Sequence, residues 1–369
     1  MIRQIELRNF RNYETLSLAV DAECNLFIGN NGQGKTNLLE AIFFTSMLRS
    51  FRTARMAELK KIGSRGFYIG TKAVAGTGLA RWYEIDYNNN GRRISIDGKV
   101  SPRSSDLVRN FRTVAFLPDD IGIVTGNSGL RRRFVDMFLS ITDPHYLVSL
   151  HHYLSALQMR NAVLKDSRAD MGLIAAYEPI MAKAAAYVAD CRREYAARLA
   201  LEIGTLLEGF YNVSSGFSVR YRSDTEGGIE AWHNKLAAER RKDRLRGFTG
   251  FGLQLDDFDF ILNDKLLRHY GSTGQCRLIS LVMKMANVNI LAAEAQGNKD
   301  KIIVLVDDVT GELDDATRQA FYRVIGQAGQ LFFTFTSLPG DDYFRHAAVF
   351  QVNNGEITPV SSSNQVNNG

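Results

Sequence analysis

The chain has 369 residues, more than one hydrophobic core usually organises, so a large domain with an insertion, or two lobes, is expected. Hydrophobic residues make up 45%, and 45 Lys plus Arg against 40 Asp plus Glu leave a net charge of +5, a mild basic excess compatible with nucleic-acid binding but not sufficient for it. Cys24, Cys191 and Cys276 form no CxxC pair, which points away from a disulfide framework or zinc site. With no unbroken apolar run of about 18 residues and no apolar leader, the cytoplasm is the expected compartment.

The first third reads as β-rich. Ile2, Ile5 and Leu7 alternate loosely, and Asn25 to Ile28 predicts a short strand entering a glycine loop. That loop is Gly29-Asn30-Asn31-Gly32-Gln33-Gly34-Lys35-Thr36, a full GxxxxGK[ST] match between a strand and the helix starting Asn37-Leu38-Leu39-Glu40. Glycines there let backbone N–H groups turn inward around phosphates, Lys35 is placed for the β and γ phosphates of ATP, and Thr36 for Mg²⁺. The helix start adds its positive dipole end. Residues 72 to 100 predict a meander, with hairpin turns at Asn90-Gly91 and Asp97-Gly98. Thr113 to Leu117 is a short apolar strand stopped by Pro118.

The middle predicts helices. Leu147, Leu150, Leu154, Leu157 and Leu164 keep a three-four spacing, as do Tyr177, Met181, Ala184, Val188, Cys191 and Tyr195, continuing to Phe210. Two packed helices of a globular lobe explain this better than a projecting coiled-coil arm. Residues 229 to 246 form a charged helix. Arg131, Arg132 and Arg133, with Arg240, Arg241 and Lys242, are candidate DNA phosphate contacts; a solvated helix face explains each cluster equally well.

The last third returns to α/β. Ser272-Thr273-Gly274-Gln275 opens a helix to about Ala295, in the manner of the ABC signature. A helix start binds anions, but this chain's own loop already takes the nucleotide, so the signature is expected to serve the ATP of a partner subunit. Ile302 to Val306 is a continuous apolar run that reads as a buried parallel strand, ending in Asp307-Asp308. Asp307 is the expected Mg²⁺ carboxylate and Asp308 the residue orienting or deprotonating the attacking water. Gly311 and Asp314 hold the D-loop position. Leu331 to Phe335 is a second buried strand, and Asn354-Gly355 closes a last hairpin. The small polar tail from Ser361 to Gly369 predicts disorder.

The ordered set resembles the RecF family of ABC-type ATPases over nearly the whole chain. It comprises Leu7-Arg8-Asn9-Phe10-Arg11-Asn12-Tyr13, the loop from Gly29 to Glu40, Arg49-Ser50-Phe51-Arg52, Phe116-Leu117-Pro118-Asp119-Asp120, Arg131 to Asp136, Tyr153 to Asn161, and Asp307-Asp308-Val309 with Glu312-Leu313-Asp314. The resemblance implies an α/β fold, with an ABC-type P-loop ATPase lobe of residues 1–118 and 247–369 and an inserted helical lobe of residues 119–246. It also implies an ATP-joined, head-to-tail homodimer that binds DNA and hydrolyses ATP slowly. Such a dimer would work with RecR and RecO to load RecA at gapped, SSB-coated DNA for repair and the SOS response. Two departures stand out. The family's Gly-Pro-His-Arg-Asp-Asp run is here Gly252-Leu253-Gln254-Leu255-Asp256-Asp257, and no switch histidine lies near Thr334-Phe335-Thr336, so a threonine is the candidate substitute. A transporter ATPase would lack the Phe10-Arg11-Asn12 opening. A chromosome-organising ATPase would need far longer coiled coils, since a helix of about forty residues spans only ~60 Å.

Overall fold

A computed structural model describes residues 1–74, 78–101, 112–166, 168, 170–211, 216–295 and 302–360. The tail at 361–369, expected to be disordered, lies outside the described residues. Two compact units emerge: Met1–Asp120 with Lys284–Gly369, and Ile121–Met283.

The first unit holds two sheets. One is an antiparallel meander of β1 (Ile2–Phe10), β2 (Tyr13–Ala19), β4 (Phe67–Val74), β5 (Ala80–Asn88), β6 (Gly91–Ile96) and β7 (Lys99–Val100), ordered β2-β1-β4-β5-β6-β7. Both predicted turns are there. Asp97 (φ 52°) and Gly98 (φ 75°) give the two consecutive left-handed residues a tight hairpin needs. Ile5, Leu7, Ile69, Ile85 and Ile94 fill its inner face.

The second sheet is the nucleotide platform. It contains β3 (Cys24–Ile28), β8 (Arg112–Phe116), β12 (Ile302–Asp307), β13 (Gln330–Phe335), β14 (Ala348–Asn353) and β15 (Glu356–Pro359), ordered β15-β14-β3-β13-β12-β8. The pairs from β14 through β8 are parallel, and β15 returns antiparallel. β12 and β13 are buried at every position, which is why both read as unbroken apolar runs. Helix α1 (Lys35–Met47) follows β3 and is buried from Leu38 to Met47.

The second unit contains β9 (Phe217–Arg222), β10 (Asp257–Leu262) and β11 (Lys265–Leu266), with helices α2 (Ser128–Thr142), α3 (Pro144–Lys165), α4 (Glu178–Tyr211) and α5 (Ile229–Arg246). α3 and α4 pack together as a globular pair. The expected boundary after residue 246 is corrected: residues 247–283 group with the helices. The cause is tertiary, because β10 pairs with β9 and buried arginines of α2 and α4 bind the carboxylates that open β10.

Helix α6 (Thr273–Glu294) starts in the second unit and ends in the first. Among the described helices it alone is long and apolar enough to cross a bilayer by composition, yet 67% of that stretch is buried inside the protein.

Candidate nucleotide site

β3 delivers the glycine loop to its C-terminal end, and α1 begins at Lys35. Gly34 takes φ 114°, and a Cβ there would lie 2.5 Å from the Asn12 amide nitrogen, so only glycine fits. Gly32 (φ 81°) has open space around it and owes its identity to backbone conformation alone. Lys35 is 6% exposed and folds its ammonium onto the loop carbonyls of Gly29 and, at 2.9 Å, Asn30. Burial draws this ammonium below the ordinary lysine range, while the nearby Asp308 and Asp307 carboxylates oppose that shift.

Asp307 ends β12, one strand removed from β3, with β13 between. That intervening strand matters because Thr334 pairs with Asp307 in register. The Asp307 carboxylate, 7% exposed, accepts the Thr334 hydroxyl at 2.7 Å and the Thr36 hydroxyl at 2.8 and 2.9 Å. Thr36 and Asp307 are thus brought together, and of Thr334 and Thr336 the buried Thr334 is the one whose hydroxyl reaches the carboxylate. Thr336 is exposed. Among the described residues no three His, Cys, Asp or Glu cluster as a metal cage. One hydroxyl and one carboxylate, completed by phosphate oxygens and water, is the donor set Mg²⁺ favours, so the residues fit ATP with Mg²⁺. Asp308 follows, exposed and left-handed at φ 50°, a conformation that costs a non-glycine residue roughly 1–2 kcal/mol.

The opening run braces this loop from outside. Asn12 donates to the Gln33 carbonyl at 3.1 Å and accepts from the Asn37 amide at 2.7 Å. Tyr13 donates to the Gly34 carbonyl at 2.9 Å, and Arg52 donates to Asn37 at 2.8 Å. Arg11 (φ 53°) forms a two-pronged bond to Glu40 of α1, at 2.7 and 2.8 Å. Glu40 is fully buried and also accepts from Ser50. In the sequence Arg11, Asn12, Arg52 and Ser50 stand out only by family resemblance; their spacing carries no local signal, because each contact joins separate elements.

Ser272, Gly274 and Gln275 are exposed at the start of α6. Ser272 and Gln275 cap that start reciprocally: the Gln275 N–H donates to the Ser272 hydroxyl at 3.2 Å, and the Ser272 N–H donates to the Gln275 side-chain oxygen at 2.9 Å. Gly311 is exposed, and Asp314 caps the next helix through the Thr317 N–H at 2.9 Å and hydroxyl at 2.7 Å, bonds that hold its carboxyl below the usual range.

The fold and the relatives agree. Residues 1–120 match the family model described as an AAA ATPase domain. The DNA replication and repair protein RecF of Geobacter sp. (strain M21) is 33% identical, over 96% of this chain and 98% of its own length. The chain belongs to the RecF family. The RecF of Exiguobacterium sp. (strain ATCC BAA-1283 / AT1b) is 31% identical over 98% of this chain and 99% of its own. A solved structure of the recombination mediator protein RecF with ATP, in the RecFOR pathway, superposes with a TM-score of 0.87 at 28% identity, covering 98% of this chain and 97% of that one. An Smc head bound to the C-terminal winged-helix domain of ScpA shares the fold alone, at a TM-score of 0.52 and 15% identity over 97% of each chain. The fold is thus the α/β ABC-type head shared by RecF and SMC proteins.

Against that family frame, most of the arginines expected to meet DNA do something else. Arg131 is 4% exposed and clasps Asp257 at 2.6 and 3.0 Å, and Arg132 donates to the Asp256 carbonyl at 2.6 Å. Arg133 is half-buried on the same helix. Arg240 clasps Glu178 at 2.5 and 2.8 Å, and Lys242 donates to Glu239 at 3.1 Å. Arg131 and Arg240 therefore neutralise buried carboxylates, which corrects their assignment to DNA; Arg241 and Lys242 stay on the exposed face. The run after Gly252 is tied into the same unit. Asp256 and Asp257 hold Arg192 and Arg131, and Gln254 accepts the Tyr153 hydroxyl at 2.6 Å.

Proposed function

We propose that this protein is an ATP-dependent, DNA-binding recombination mediator that works as a nucleotide-switched homodimer. The observation that carries the reading is the convergence of Thr36, Thr334 and Asp307 at the mouth of a phosphate loop whose lysine is already buried there. When bound, Mg²⁺ neutralises phosphate charge. The loop amides and Lys35 bind and orient the triphosphate. Thr36 and Asp307 hold the metal, with Thr334 fixing the carboxylate rotamer. Asp308 accepts the proton of the attacking water, and its exposed left-handed position suits a group that reaches forward from the strand end. Turnover is slow and DNA-stimulated in this reading.

The exposed Ser272 and Gly274 contact the γ-phosphate held by a second copy, and Gly311 and Asp314 face that copy beside it. ATP but not ADP supplies this contact, and a two-fold axis makes it twice. In the cytoplasm the dimer engages gapped DNA, in part through Arg241 and Lys242, and with RecR and RecO promotes RecA loading on SSB-coated single strands for repair and SOS induction. Binding to gapped DNA with ATP, with ADP and without nucleotide tests the reading. Binding that strengthens only with ATP supports it, and equal binding in all three states contradicts it.

A further inference from the structure

The chain leaves the ATPase unit after Asp120 and re-enters it at Lys284. These two residues are bonded to each other. The Lys284 ammonium, on α6, donates to the Asp120 carboxylate and to the Ala115 carbonyl of β8. The second Asp120 oxygen accepts the Leu117 N–H at 2.7 Å, which closes the turn after β8. Both side chains are largely buried, 11% and 15% exposed. Burial pushes the Asp120 carboxyl up, and the ammonium beside it holds it back. β8 itself lies beside β12, pairing Ala115 with Leu305 and Phe116 with Val306, one residue before Asp307. One ammonium therefore refers the signature helix to the strand pair that presents the metal carboxylate.

We propose that Lys284 and Asp120 form a positioning clamp that sets the direction of α6 and thereby the place of Ser272 and Gly274 in the nucleotide-bound dimer. The inference rests on the trans-signature reading above. Ser272 lies twelve residues from Lys284 on α6, about 18 Å along a helix rising 1.5 Å per residue. A pivot of about 10° at Lys284 moves the helix start by roughly 3 Å, more than a hydrogen bond to phosphate tolerates.

The test compares ATP affinity with ATP-dependent dimerisation in the full chain, using Lys284→Met and, as a shape-preserving second variant, Asp120→Asn. Fluorescent-ATP titration is expected to give affinities within about twofold of the parent, since Lys35 and its loop are intact. Sedimentation with ATP and Mg²⁺ is expected to show dimerisation at least tenfold weaker in both variants. The Lys284→Met/Asp120→Asn double variant should be no worse than the weaker single, because either change alone opens the clamp. Variants that dimerise like the parent overturn the clamp. Folded variants that lose ATP affinity and dimerisation together also overturn it, because the pair then supports the unit as a whole. A parent that stays monomeric with ATP overturns the trans-signature reading and the clamp with it, and the parent arm alone identifies that case.

Discussion

Arg11→Met should destabilise the ATPase unit strongly, and the reason lies one helix away from the nucleotide. The Glu40 carboxylate has no solvent exposure and is answered by the two Arg11 bonds and the Ser50 hydroxyl. Removing the guanidinium leaves one hydroxyl against a buried charge. Breaking a buried pair in this way costs about 3–5 kcal/mol, much more than losing a surface pair. For a unit of about 200 residues that corresponds to a fall of roughly 6–20 °C in melting temperature. The Arg11→Met/Glu40→Met double variant removes both charges and should recover most of the loss. A thermal and urea double-mutant cycle measures the coupling, with tryptophan fluorescence as the probe. If Arg11→Met sits within ~1 kcal/mol of the parent, or the double variant is additively worse, the buried-charge argument for the opening run is wrong.

Other expectations follow from the site. Lys35→Ala should remove most ATP affinity, read by fluorescent-nucleotide titration; unchanged binding would reject the phosphate-loop assignment. Asp308→Asn should bind ATP normally but turn over at least tenfold more slowly and accumulate dimer, and a parental phosphate-release rate would move the base role elsewhere. Thr334→Val keeps the shape but deletes a bond to a charged acceptor worth about 1.5–3 kcal/mol, so Mg²⁺-dependent turnover should fall while Mg²⁺-free nucleotide binding changes little. Burial pushes the Cys191 thiol up to about 11 from its ordinary 9.0. A raised pKa contributes stability that is complete below the unfolded value and is lost as pH climbs from about 9 towards 11. Iodoacetamide labelling of native Cys191 should therefore lag a free thiol at pH 8 and rise only in that alkaline window.

The phosphate loop was legible because a backbone cradle demands glycines at fixed spacing, and β12 because a doubly covered strand must be apolar throughout. The meander was legible through Asp97-Gly98, both left-handed, and through Asn90-Gly91, where the glycine alone takes a positive φ (107°). The charged residues of the second unit were not. Arg131 and Asp257 lie 126 residues apart in sequence, and Arg240 and Glu178 lie 62 apart. A run of arginines reads alike whether it faces solvent or a buried carboxylate, so only the tertiary fold separates the two. The unit boundary was misplaced for the same reason, since Asp256 and Asp257 bind arginines of preceding helices. Thr334 could be singled out only as a candidate, because its contact depends on β13 lying between β3 and β12.

The central claim is that ATP held by Lys35, Thr36 and Asp307 is completed by Ser272 of a second copy, and sedimentation of the parent beside Ser272→Arg measures it most directly. With ATP and Mg²⁺ the parent should dimerise and with ADP it should not, while Ser272→Arg should bind ATP and remain monomeric. A variant that dimerises with ATP as well as the parent would leave Ser272 as a helix cap alone and contradict the account.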